Sequence, residues 1–121
     1  MTSSALQLQE QYPTRASVIE MMEKNRPGQT DANDIIYEME ASRFYNPAPQ
    51  LDKIKAPLLA INSADDEINP PQLRIVEREI KKVKRGRFVM LPITEETRGH
   101  GTHSLPAIWG KYLAELLGES K

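Results

Sequence analysis

The sequence predicts an α/β fold, and three observations carry that expectation. Two short apolar runs, "PLLAIN" at 57–62 and "RFVMLPI" at 87–93, have strand character. Each is followed by a segment with helical spacing of apolar residues, so the order is strand, helix, strand, helix. That alternation is the pattern of parallel α/β architecture.

The elements follow from local chemistry. From Ser17 to Lys24 the spacing of Val18, Met21 and Met22 predicts a short helix, which Pro27 and Gly28 then stop. Nothing before Thr14 is decisive. In "DANDIIYEMEASRFY" Asp31 is an N-cap, Asp34 lies in the first turn, and Ile35, Ile36, Met39 and Phe44 fall at helix-compatible positions. "NPAPQLDKIKAP" is a proline-punctuated connector. "PLLAIN" lacks period-two alternation, which predicts a strand covered on both faces. Asn69 is expected to cap the next helix, with Pro70 and Pro71 tolerated in its first turn and Leu73, Val76, Ile80 and Val83 as its inner stripe. Gly86 is expected to end it. A last helix, capped near Thr102 or Ser104, carries Leu105, Ile108, Trp109, Tyr112, Leu113, Leu116 and Leu117 up to Gly118.

Composition narrows the function classes. The 121 residues are the length of one domain or part of one, and 39% hydrophobic with 27% charged content is that of a soluble globular protein. A formal charge of -1 supplies no field to draw in nucleic acid or an anionic membrane. With no cysteine there are no disulfides, thiolate nucleophiles or zinc-thiolate sites. The start lacks a basic region followed by an apolar stretch, and no run approaches the roughly 20 apolar residues that span a bilayer. A cytoplasmic protein is expected.

The acidic triplet Asp65, Asp66 and Glu67 stands just after the first strand, and "RGHGTH" at 98–103 follows the second. Ligand sites of open α/β sheets gather at the C-terminal ends of the strands. A carboxylate and an imidazole distant in sequence can therefore meet there, and the carboxylate can hold the ring in one tautomer and stabilise the imidazolium. This is two thirds of a nucleophilic triad.

"LDKIKAPLLAINSADDEINPP" followed by "GRFVMLPITEETRGHGTHSLPAIWGKYLAELL" resembles the C-terminal part of α/β-hydrolase-fold proteins of the homoserine O-acetyltransferase family. The likeness extends back over "DANDIIYEMEASRFYNPAP", similar to the exit from that family's helical cap, and covers roughly residues 28–118. Asp66-Glu67-Ile68-Asn69-Pro70 matches the family's acidic motif and Gly99-His100 its histidine motif. The resemblance implies that residues 1–50 are the end of the cap and a connector, and that 51–121 are the C-terminal segment of the hydrolase core. It implies Asp66 as the catalytic acid, with Asp65 as the reserve candidate, and His100 as general base and then general acid. It implies a small-molecule acyl donor and an alcohol acceptor, with acetyl-CoA as co-substrate and no bound cofactor or metal.

The nucleophile is missing from this pattern. The family's serine rides a G-x-S-x-G-like elbow, and Ser3, Ser4, Ser17, Ser42, Ser63, Ser104 and Ser120 all lack the flanking glycines. Removing one triad member leaves about 10³ to 10⁴-fold acceleration, which comes from the oxyanion hole and substrate binding. Without those donors as well, the chain alone is expected to be catalytically silent. It reads as a C-terminal fragment, since single α/β domains run to roughly 200 to 250 residues. Two buried strands without neighbours would aggregate, form a homo-oligomer or dock on a complementing chain.

Other readings are weaker. Relatives commonly place an acidic residue after the histidine, where this chain has Gly101, Thr102 and His103, so transferase and ester hydrolase both stay open. A non-catalytic interaction module is the alternative from another class. His100-x-x-His103 lacks the i, i+4 spacing of a zinc helix, and His103 is expected to be structural. "KKVKRGR" at 81–87 is a solvated helix end, where cations complement the dipole. Trp109 and Tyr112 are expected in the core.

Overall fold

The computed structural model describes residues 5–25 and 31–119, and it is a mixed α/β structure. Two strands, β1 (Leu58–Ser63) and β2 (Gly86–Leu91), pair in parallel with Leu58 opposite Gly86 and Ser63 opposite Leu91. Both lie within a residue or two of the predicted runs. The connection between them packs on one face of the sheet, and α5 (Pro106–Glu119) packs on the other. Among the described residues no helix is long and apolar enough to cross a membrane.

The described residues of the N-terminal third are largely helical. An unpredicted α1 spans Ala5–Gln11. The next helix, α2 (Arg15–Lys24), starts two residues ahead of expectation because Thr14 and Ser17 form a reciprocal capping box. Its predicted stop at Pro27 and Gly28 lies outside the described residues. Asp31 caps α3 (Ala32–Ser42) as expected, its carboxylate accepting from the Asn33 amide at 2.8 Å. Phe44 falls beyond the end of that helix, and Ile35, Ile36 and Met39 are exposed. The connector contains a 3₁₀ turn over Ala48–Lys53.

The helix expected between the strands is broken. A proline disfavours the α conformation in the residue before it, so Pro71 keeps Pro70 extended (ψ 122) and Asn69 cannot act as N-cap. A 3₁₀ turn, Pro71–Leu73, runs into Arg74 at φ 51, and only then does α4 (Ile75–Glu79) begin, followed by a second 3₁₀ turn, Ile80–Lys82. The inner stripe divides accordingly. Ile80 and Val83 are buried, while Leu73 is 57% exposed and Val76 is exposed too. Gly86 does not end the helix. Val83 leaves it in an extended conformation, and Gly86 opens β2 beneath the Ile80 carbonyl, 2.7 Å from where a Cβ would stand.

Side chains alternate across the two strands. Leu59, Ile61 and Leu91 line a cavity with Trp109 and Leu113 of α5, while Asn62, Phe88 and Met90 line a groove with the Pro70–Val76 segment. Both faces are thus approached, but Leu58–Asn62 are half-buried rather than buried, since the described sheet has two strands. Among the described residues the buried apolar core is small: Ile80, Val83 and Leu91. At the start of α5 neither expected cap operates. The Thr102 hydroxyl accepts from the Arg98 amide, and the Ser104 hydroxyl donates to the Gly101 carbonyl. The helix runs to Glu119, one residue past the predicted end. Trp109 and Tyr112 are half-buried, and Leu113 and Leu117 are exposed.

Candidate functional site

Parallel pairing puts the loops after β1 and β2 on one rim. The ladder extends one bond past β1, from the Ala64 amide to the Leu91 carbonyl at 2.9 Å, and the chain then turns as the Asp66 amide donates to the Ser63 carbonyl at 3.0 Å. That turn delivers two adjacent carboxylates, and they have different partners.

Asp66 is 6% exposed. Its Oδ1 accepts from the amides of Ile68 and Asn69, each at 2.9 Å, so its side chain closes the turn that precedes Pro70. Its Oδ2 lies 3.1 Å from Nδ1 of His100, 34 residues away. Burial alone would raise the Asp66 pKa, but the Asn69 amide, His100, the Ile68 amide and the Asn69 side chain outweigh it and hold the carboxyl below its ordinary value of 3.8. The group is ionised at neutral pH, and an ionised carboxylate can only accept. Nδ1 therefore carries a proton, and in the neutral ring the lone pair is on Nε2.

The Nε2 atom has no hydrogen-bond partner among the described residues. His100, about a third exposed, lines the cavity of about 370 Å³ whose apolar wall includes Leu59, Ile61, Leu91 and Trp109. Chemically this is a fixed imidazole with an accessible basic nitrogen at the mouth of a partly apolar cavity.

Asp65 does not touch the imidazole. It hydrogen-bonds the Ser63 hydroxyl through Oδ1, and its Oδ2 accepts from the Thr97 hydroxyl at 3.0 Å and the Gly99 amide at 3.1 Å. Burial would raise its pKa, and the bonds from Ser63, Gly99 and Thr97 more than reverse this, leaving it below 3.8. Of the two candidate acids, the geometry pairs Asp66 with the ring.

Several further residues build the site, among them Asn69 and Thr102, which the sequence offered only as helix caps or motif members. Asn69 sets its amide nitrogen 3.5 Å from Asp66 Oδ2 and 3.4 Å from His100 Nδ1, and only the approach to the carboxylate is a hydrogen bond while Nδ1 bears the proton. Asn62 donates to the Asn69 carbonyl at 2.8 Å. Thr97 is completely buried, and Thr102 nearly so. Their signal in the sequence is slight: hydroxyl residues in a polar loop are ordinary. His103 reaches the His100 carbonyl through Nδ1, with ring centroids 5.1 Å apart, and its own carbonyl accepts from Trp109 Nε1 at 3.1 Å. It contacts neither aspartate.

No described serine hydrogen-bonds the imidazole. Ser63 is bonded to Asp65 and Ser104 to Gly101, while Ser17 and Ser42 sit at the ends of N-terminal helices. Ser3, Ser4 and Ser120 lie outside the described residues. Among the described residues there is also no group of three or more His, Asp or Glu side chains placed to hold a metal ion.

The depressed carboxyl groups predict a pH dependence. Each aspartate has a lower pKa folded than unfolded, so its stabilising contribution is complete above about 3.8 and disappears as pH falls through the folded values. Urea denaturation from pH 7 to pH 2.5 is expected to show a flat plateau that falls away below about pH 4. Asp66→Asn should flatten that fall, and an unchanged slope would contradict the assignment.

Compared with family models, curated proteins and solved structures, the chain has no match.

Proposed function

We propose that this chain carries the acid and the base of an α/β-hydrolase-type acyl-transfer site without its nucleophile. One observation carries the reading: Asp66 and His100, 34 residues apart, meet at 3.1 Å on the shared rim of two parallel strands, with the other ring nitrogen unengaged among the described residues. In this role Asp66 holds the ring and stabilises the imidazolium. Nε2 takes the proton of a hydroxyl as its oxygen attacks an acyl carbon, then returns it to the departing group. The likeness of Asp66–Pro70 and Gly99-His100 to the homoserine O-acetyltransferase pattern supports acetyl transfer from acetyl-CoA to an alcohol, with ester hydrolysis as the variant in which water is the acceptor.

The hydroxyl nucleophile and the oxyanion donors have to come from elsewhere, so the chain alone is silent. Acyl esters, and acetyl-CoA with homoserine, should give no turnover above a His100→Ala control. Turnover that this substitution abolishes would overturn the silence and place a nucleophile within the chain.

A second reading, an interaction module that docks on another chain, is favoured by the exposure of Ile35, Ile36, Met39 and Phe44. Exposed apolar surface of this kind is uncommon in a free monomer. Analytical ultracentrifugation tests a second copy of the chain as the partner: self-association at tens of micromolar would favour it, and a stable monomer would count against it.

A further inference from the structure

The second carboxylate has no place in the acid–base pair, yet it is as fully engaged as the first. Asp65 accepts from three donors, and two of them, the Thr97 hydroxyl and the Gly99 amide, belong to the loop that carries His100. Gly99 immediately precedes His100 and sits at φ 57, in the left-handed region where glycine is favoured. The contacts run in parallel: Asp65 to Gly99 and Asp66 to His100, each across 34 residues.

We infer that Asp65, with Thr97, is the positioning device for His100, a latch that fixes the loop so that the imidazole reaches Asp66. Three features support this. The Asp66 contact acts on a ring that is about a third exposed, in a loop that among the described residues pairs with no strand beyond Leu91, so the loop needs a second anchor. Thr97 has no accessible surface, and its hydroxyl accepts from the Thr94 amide at 3.1 Å while facing both the Thr94 carbonyl at 2.9 Å and Asp65. It therefore ties the 94–97 turn to the β1 exit. Thr102, nearly buried, accepts from the Arg98 amide at 2.8 Å and closes the same loop from the other side. Holding the backbone on both sides of His100 fixes the direction of its Cα–Cβ bond, from which a staggered rotamer of the ring reaches Asp66. Anchoring by a charged acceptor suits this, since hydrogen bonds to a carboxylate are about twice as strong as neutral ones.

This inference rests on the reading of Asp66 and His100 as an acid–base pair, and the experiment separates the two. Long-range proton–nitrogen NMR of the histidine rings in the whole chain reports which nitrogen of His100 carries the proton. In the unaltered protein the proton is expected on Nδ1, with a low-field resonance that Asp66→Asn removes. Thr97→Val deletes one hydroxyl at nearly constant shape, and Asp65→Ala deletes the acceptor. Both should lose the low-field proton and give the ring shifts of a solvent-averaged imidazole, although Asp66 is intact. Thr97→Ser, which keeps the hydroxyl, should restore the native signature. A merely structural contribution would lower the denaturation midpoint without moving the tautomer. If folded Thr97→Val keeps the native ring signature, the latch is overturned and the Asp66–His100 pair stands. If Asp66→Asn leaves the unaltered protein's ring signature in place, the pair itself fails. Should Asp65→Ala not fold, Thr97→Val decides.

Discussion

Asp66→Ala is expected to destabilise the chain by about 2–4 kcal/mol, enough to unfold much of a marginal domain. The loss comes from the groups that the substitution strands. Ile68 and Asn69 lose the acceptor for their amides, and His100 loses the partner of Nδ1, all around a side chain that is 6% exposed. Hydrogen bonds to a charged acceptor contribute about 1.5–3 kcal/mol each, and some of the freed donors will recover water. Asp66→Asn is the informative contrast. Its oxygen can keep the two amides, so the loss of stability should be smaller, but its amide nitrogen then faces Nδ1 and drives the ring proton to Nε2. Urea denaturation reads the first effect and ring nitrogen shifts the second. An Asp66→Ala midpoint equal to that of the native chain would show that the turn does not depend on this carboxylate.

The second large effect is expected at a position with no chemistry. Gly86→Ala should cost about 2–3 kcal/mol, at the upper end of ordinary overpacking. A Cβ there would stand 2.7 Å from the Ile80 carbonyl oxygen and 2.9 Å from the Val83 Cβ. Neither neighbour yields easily. The Ile80 carbonyl accepts from the Val83 amide at 3.0 Å, and Val83 is 3% exposed, so relief requires shifting the turn that closes the small core. Gly110→Ala is the control. It lies within α5 with nothing within 4 Å of its added methyl, and should be stabilising by about 0.5–1 kcal/mol through helix propensity. Equal denaturation midpoints for the two variants would mean that the approach of β2 to Ile80 is not tight.

The two predictions probe different parts of one device. Gly86 lets β2 lie close to the Ile80–Val83 turn, which seats the strand beside β1. The paired strands then bring both loops to one rim, where Asp66 can reach His100. A defect at Gly86 should therefore weaken the site indirectly, whereas a defect at Asp66 acts on it directly.

Parts of this were legible in the residues. Apolar runs at 57–62 and 87–93 located both strands because a short continuous apolar segment between polar turns has few other ways to be buried. Asp31 announced the start of α3 because a cap is a local interaction between a side chain and an amide two residues on. The candidate acid and base were also visible, since the order of elements sends the ends of parallel strands to a common edge.

Other features depended on contacts between distant segments. The break at Arg74 and the exposure of Leu73 run against a helical period that continues through both, because the double proline delays the start and the chain must then turn onto the sheet. Which carboxylate of an adjacent pair grips the ring is not set by residue chemistry, although the likeness of the 66–70 motif pointed to Asp66, the one that meets His100. Asp65 and Asp66 are chemically identical and one residue apart, so their division of labour is set by where Thr97, Gly99 and His100 arrive from the other loop. Thr97 itself looked like an ordinary loop threonine, and its burial exists only once the two loops close on each other. Residue type and local spacing thus sufficed for elements and for the kinds of chemical group, since those rest on interactions within a few residues. The pairing of groups rests on angstrom-scale placement of segments 34 residues apart, which packing alone supplies.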